Sequence, residues 1–362
     1  MRLPYLLLAL CLAGLAGNAS AADVTRTLRA EVTGADVGRF GVENLAGLMR
    51  VTPGSGNDVV AVATVHAESD ELASSIRFER VTGEHGRPVL RVRYPLDRHT
   101  EYRYPQGNSE GGLLMGLFPG ARTDTKYEGQ RVHISGKKGV LLYADVEVQV
   151  PRSRVAATFR NGAGPMEAHD VEGELRFETG YGPVRLTKTA GDVVADTGSG
   201  DVDATDSQGA FKCDTGSGEC VVTGFSGDRL VCDTGSGKVR VSSTSARSIE
   251  VDSGSGNVVL EDADAEDLKV DTGSGNVDVQ SPGRRLAHIK ADTGSGNVKL
   301  RLSADAGFEA HADIGSGDIV NRYPDAQAIV KRREVVGYRR GDGRIRIDVD
   351  TGSGDLVLEP GK

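Results

Sequence analysis

The chain has 362 residues, 49 of them glycine, with no tryptophan, 5% aromatic residues, a formal net charge of −9 and a pI near 5.4. That acidic balance argues against a nucleic-acid partner, which would need a basic face to displace counterions, and no apolar run reaches the roughly 18 residues of a membrane span. What remains is an acidic, glycine-rich chain, long enough to bury a sizeable core.

Residues 1–22 read as an address. Arg2 supplies a positive start, Leu3 to Leu15 a short apolar stretch, and Ala19-Ser20-Ala21 a small-residue cleavage site. This is the pattern of a secretory signal peptide cut after Ala21 or Ala22, and it predicts an exported mature protein, periplasmic or extracellular. Cys11 does not read as a lipid-attachment cysteine, because Leu10 stands before it.

Residues 23–150 carry no regular repeat and read as a divergent β section that covers the open end of a solenoid formed by the rest of the chain. Val89 to Tyr94 and Val140 to Val150 are strand-like, and Pro53-Gly54-Ser55-Gly56-Asn57 echoes the later repeat. A long glycine- and proline-rich loop is expected over 102–130, with Leu113-Leu114-Met115 and Leu117-Phe118 as a candidate partner contact.

Residues 151–362 are dominated by a repeat. Asp-Thr-Gly-Ser-Gly begins at Asp196, Asp214, Asp233, Asp271, Asp292 and Asp350, with variants at Asp252 and Asp313. Fainter versions stand at Asn161-Gly162-Ala163-Gly164 and Thr179-Gly180-Tyr181-Gly182. Steps between first glycines are 18, 18, 18, 19, 19, 19, 21, 21 and 37, the period of a solenoid. The residues one and three before each aspartate, and two and four after the second glycine, form four columns that are apolar except at Asn321. Alternation of period two on both sides of a glycine turn means strand, turn, strand, and two glycines per unit oppose helix. The fold class is therefore all-β, a parallel β-solenoid with rungs of 18–21 residues and an insertion over 323–343 before a closing rung that ends at Pro360. Rungs about 4.8 Å apart would give ten of them a rod of roughly 50 Å.

Cys213 and Cys232 share one inward column and Cys220 another, which reads as core packing where valine stands elsewhere, with a disulfide as the alternative. Asp-Thr-Gly also matches the aspartic-protease signature, but a dyad sharing one proton has no reason to recur eight times, whereas a turn does. The expected role is structural: Asp, Thr and Ser accept backbone N–H groups, and the glycines supply positive φ and close approach. A ladder of carboxylates along one edge raises calcium as a further reading, although each rung offers one carboxylate and calcium takes six to eight oxygens. An ice-binding threonine face is disfavoured, since the single threonine column is interrupted at Ser253 and Ile314.

The seven histidines have no ligand spacing, and His311 falls on an outward position. No nucleophile elbow, phosphate loop or dinucleotide fingerprint stands in a proper context, so no catalytic or metal-binding residue is assigned and no cofactor is implied. Lys331, Arg332, Arg333, Arg339, Arg340 and Arg344 make the insertion cationic, which reads as a solvated edge strand before an anionic-glycan contact.

Val42-Glu43-Asn44-Leu45-Ala46-Gly47, with Val51-Thr52-Pro53-Gly54-Ser55-Gly56 after it and then the Asp-Thr-Gly-Ser-Gly rungs, resembles the bacterial putative-adhesin family of exported β-solenoids. The resemblance implies a non-enzymatic adhesin-like or envelope-scaffold module and no catalytic residues. The expected partner is a glycan or an envelope or surface protein. The rival expectation is an enzyme acting on polysaccharide, its carboxylates carried by irregular loops.

Overall fold

The computed structural model describes residues 24–83, 86–105 and 122–361 and divides into two compact units, residues 1–185 and 186–362. The proposed signal peptide and the Leu113–Phe118 segment lie outside the described residues.

Residues 186–362 are a parallel β-solenoid. Each rung is a strand, a glycine turn and a second strand, as in Gln208–Thr215 and then Cys220–Thr223. Rungs stack in register, placing Asp196 beside Asp214, then Asp233, Asp252, Asp271 and Asp292. The four apolar columns face inward, and every column residue is buried except Ala312, Ile319 and Asn321.

Those three residues mark a departure from the expected order of rungs. Ile345–Thr351 pairs in parallel with His288–Thr293 on one side and with Phe308–Ile314 on the other. Leu356–Pro360 likewise separates Val298–Leu302 from Ile319–Asn321. The last rung in sequence is thus inserted one place inward, and the rung of Asp313 lies outside it. Column chemistry explains the exchange. The late rung brings Ile347, Val349, Leu356 and Leu358, all buried, whereas the earlier one carries Asn321 and can stand at an end. The 323–343 insertion makes this possible as an antiparallel hairpin, Gln327–Lys331 with Glu334–Arg340. Its second strand pairs antiparallel with Phe308–His311. The chain then returns through Gly341 and Gly343, both at positive φ. It passes so close to Gly307 that a β-carbon there would lie 2.0 Å from Asp342 Oδ1.

The turn glycines act through space rather than through φ. From Gly216 to Gly354, none in the Gly-Ser-Gly turns has the left-handed φ the sequence suggested. Each instead lies against the turn of the neighbouring rung: a β-carbon on Gly237 would sit 1.7 Å from the Gly218 carbonyl oxygen. Left-handed residues occur at a second corner, at Lys188, Asp206, Gly224, Ser243, Asp262 and Gly283, with φ between 50° and 71°.

Residues 24–185 hold a rung of their own, made by Arg39–Ala46 and Met49–Pro53. Asn44 stands in register with Asn161, and Asn161 with Thr179, so the rung turn is Asn44–Gly47. At Gly47, φ is +127° and a β-carbon would meet the Ala144 carbonyl at 2.1 Å. The echo at Pro53–Asn57 is not a rung turn. It leads into Val59–Ala67, which runs antiparallel to both Val24–Val32 and Val140–Val150. Both strands of the rung are covered, Arg39–Ala46 by Pro88–Arg93 and Met49–Pro53 by Val140–Val150. Part of the expected 102–130 loop is also strand, since Arg122–Tyr127 pairs antiparallel with Gln130–Ser135.

Candidate binding surface

The Asp-Thr-Gly-Ser-Gly turn splits its side chains between interior and solvent. Strand alternation turns the threonine inward, and Thr215, Thr234, Ser253, Thr272, Thr293 and Thr351 are all buried. Each donates its hydroxyl to a glycine carbonyl of the neighbouring turn at 2.9–3.3 Å. Each also accepts the N–H of the second glycine of its own turn at 2.8–3.2 Å. The hydroxyl therefore ties a turn to itself and to its neighbour, so the column forms no exposed threonine face. Serines Ser217, Ser236, Ser255, Ser274 and Ser295 stand exposed at the turn tips.

Beyond the turn runs a second ladder. Asn257 Oδ1 accepts the Asn276 N–H, Asn276 Oδ1 that of Asn297, Asn297 Oδ1 that of Asp355, and Asp355 Oδ1 that of Asp318, each at 2.9 Å. These bonds track the exchanged order of rungs.

The aspartate column continues from Asp292 through Asp350 to Asp313. Carboxylates one rung apart repel by on the order of 1 kcal/mol in water. Lys212 donates to Asp214 at 2.9 Å and Lys290 to Asp292, which offsets part of the charge. The bond to Asp214 raises the Lys212 pKa. Asp233 has no such lysine on its own rung, and partial burial, with repulsion from Asp214 and Asp252 after it, raises its pKa. Among the described residues, no group of three or more His, Cys, Asp or Glu is placed to hold a metal ion.

The neighbouring sheet face is a mosaic of paired charges around an open groove lined by Arg229, Arg247, Glu250, Lys269, His288 and Lys290. Glu250 accepts from Lys269 at 3.1 Å and from Arg229 at 2.9 Å, the Lys269 bond foremost, which lowers its pKa. Arg247 meets Asp228 at 2.6 Å, and His288 lies 3.2 Å from Asp348. His311 is outward as expected, 3.0 Å from Glu309. A polar ligand on this face would exchange one set of ion pairs for another.

The cysteines correct the column reading in part. Cys213 and Cys220 are disulfide-bonded across the interior of one rung, with Cα atoms 6.5 Å apart, because their two columns face each other. Cys232 is free and buried, and burial pushes its thiol up to about 12.

The insertion's cations divide. Arg339 pairs with Glu309 at 2.9 Å, Arg340 with Asp325 at 2.6 Å while covering the Tyr323 ring, and Arg344 donates to the Gly283 carbonyl. Lys331, Arg332 and Arg333 form the exposed hairpin tip.

Residues 24–185 hold a buried cluster that sequence reasoning missed. Tyr94 packs edge-on against Tyr102 and Tyr127, and its hydroxyl donates to Asn44 Oδ1 at 3.1 Å. Asn44 donates to the Ala144 carbonyl at 2.8 Å, and Asn161 to that of Gly47 at 2.6 Å. Glu128 meets Arg93 at 2.6 Å, and its burial raises its pKa. Asn44 and Asn161 occupy the threonine position of their rungs, which was the available signal.

The family model described as Toastrack DUF4097 matches residues 143–359. Among solved structures, a "putative cell adhesion protein" from Clostridium sporogenes is 11% identical, with 94% of this chain and 100% of that chain covered and a TM-score of 0.19. A "putative lipid binding protein" from Parabacteroides distasonis is also 11% identical, with 92% and 96% covered and a TM-score of 0.40. No curated protein matches the chain by sequence.

Proposed function

The chain belongs to the Toastrack DUF4097 family, and from that premise we propose that it is an exported, non-enzymatic binding module with an adhesin-like or envelope-scaffold role. One observation carries the reading. The buried threonine and serine hydroxyls of the turns are consumed in tying turn to turn, and the outward ladders repeat as a polar surface. The Asp-Thr-Gly likeness to a protease ends here, because the threonine hydroxyl is a buried staple and the aspartates stand in one file. Such a surface suits a repeating polar partner, a glycan or an envelope protein, met along several rungs at once.

The signal-peptide pattern over residues 1–22 supports export. No helix among the described residues is long and apolar enough to cross a membrane. Protease shaving of intact cells tests the adhesin role. Cleavage of the tagged protein, with a periplasmic control intact, is the expected result and leads to glycan and matrix screens. Protection, with the protein present after disruption, rejects the surface role and leaves the envelope scaffold. Retention in the cytoplasm overturns the proposal.

A further inference from the structure

The described residues expose three large hydrophobic side chains, Val320 at 37%, Val330 at 61% and Val335 at 43%. All three belong to the Asp313 rung and its hairpin. Val330 and Val335 are directly opposed across the two hairpin strands, so both project from one face. Lys331 opposes Glu334 one position further on, and Arg332 and Arg333 close the loop at φ 53° and 76°.

The hairpin also stands away from its own sheet. Glu334–Arg340 pairs with Phe308–His311 only as far as Gly337, where a β-carbon would meet the Ala310 carbonyl at 1.9 Å. Val335 and the loop lie beyond that point. With Arg339 and Arg340 paired to Glu309 and Asp325, the tip keeps three cations, Lys331, Arg332 and Arg333, beside one carboxylate, Glu334, on a chain whose net charge is −9. At physiological salt a charge is felt over about 8 Å, so the tip presents its own sign to a partner rather than that of the whole chain.

A paired apolar face flanked by unengaged cations matches the two layers of an anionic bilayer surface, phosphates outside and acyl chains beneath. We propose that the 327–340 hairpin docks this unit on anionic lipid, with Lys331, Arg332 and Arg333 at the phosphates and Val330 and Val335 at the acyl boundary. This goes beyond the binding-module reading and stands whether or not that reading holds.

Co-sedimentation of the mature protein with vesicles tests it, using phosphatidylcholine alone or mixed with phosphatidylglycerol. Binding to the mixed vesicles only is expected. At about 1 kcal/mol per cation, the Lys331→Gln/Arg332→Gln/Arg333→Gln variant should bind roughly 100-fold more weakly. Val330→Ser/Val335→Ser should weaken binding about tenfold at unchanged charge. Arg284→Gln, an exposed cation elsewhere on the unit, should leave it unchanged. The replaced side chains are exposed, and thermal melting confirms that the variants fold. The proposal is overturned by equal binding to neutral vesicles, by absent binding, or by insensitivity to both hairpin variants. Loss with the cation variant alone would indicate a general polyanion contact and also overturn it. So would a dimer abolished by the valine variant in a protein that ignores vesicles.

Discussion

Replacing Thr234 by valine removes one staple and little volume. In the native turn, the hydroxyl donates to the Gly218 carbonyl at 3.1 Å and accepts the Gly237 N–H at 3.0 Å, at a position 1% exposed. Valine leaves both backbone groups buried without a partner, and each such loss costs about 1–3 kcal/mol. The expected destabilisation is therefore about 2–6 kcal/mol. Thr234→Ser keeps both bonds and forfeits one methyl, at about 1 kcal/mol, and the native Ser253 makes the same two bonds in the next turn. Urea unfolding monitored by circular dichroism measures the ordering. Amide exchange at Gly237 gives a local reading, since a repeat array need not unfold in one step. A Thr234→Val protein as stable as Thr234→Ser, with Gly237 equally protected, would refute the staple.

Gly237→Ala should cost more than about 4 kcal/mol or prevent folding, because its β-carbon meets the Gly218 carbonyl at 1.7 Å and backbone must move; a soluble variant with native melting contradicts this. The raised pKa of Asp233 makes the folded state bind a proton more readily than the unfolded chain, so wild type loses stability as pH rises from about the ordinary aspartate value of 3.8 through the folded pKa. Asp233→Asn should then melt higher than wild type at neutral pH and no higher below the unfolded pKa, and melting curves against pH decide it. Reducing the Cys213–Cys220 bond should cost about 2 kcal/mol, given its short loop, as read in paired denaturation curves. Cys232 should react with a thiol reagent only after unfolding, and fast reaction of the native protein would contradict its burial.

The solenoid was legible because its columns carry the inside–outside distinction directly: Val239, Val258 and Val277 stand where they must to stack, and they do. The exchanged rungs were harder, since the Asp313 and Asp350 turns look alike and pairing in space decides between them. The signal lay in Asn321 and Ile314, which break their columns where one neighbour is lacking. The second corner left no trace, because Lys188, Asp206, Ser243 and Asp262 share only a φ value. Orientation of the threonine was ambiguous for a different reason: a hydroxyl can serve a surface ladder or a buried one, and only the carbonyl waiting at Gly218 distinguishes them. The Cys213–Cys220 bond escaped a reading by columns because it runs between two of them. The antiparallel strands of the first unit alternate like rungs but lack the glycine turn that stacking demands.

The central claim, a surface built to bind rather than to catalyse, is tested most directly by incubating the mature protein with a panel of acidic and neutral polysaccharides while monitoring chain length and retention together. The account predicts no scission of any polymer and retention, if any, that saturates without product. Reproducible cleavage, abolished by replacing a carboxylate outside the turn ladders, would contradict it.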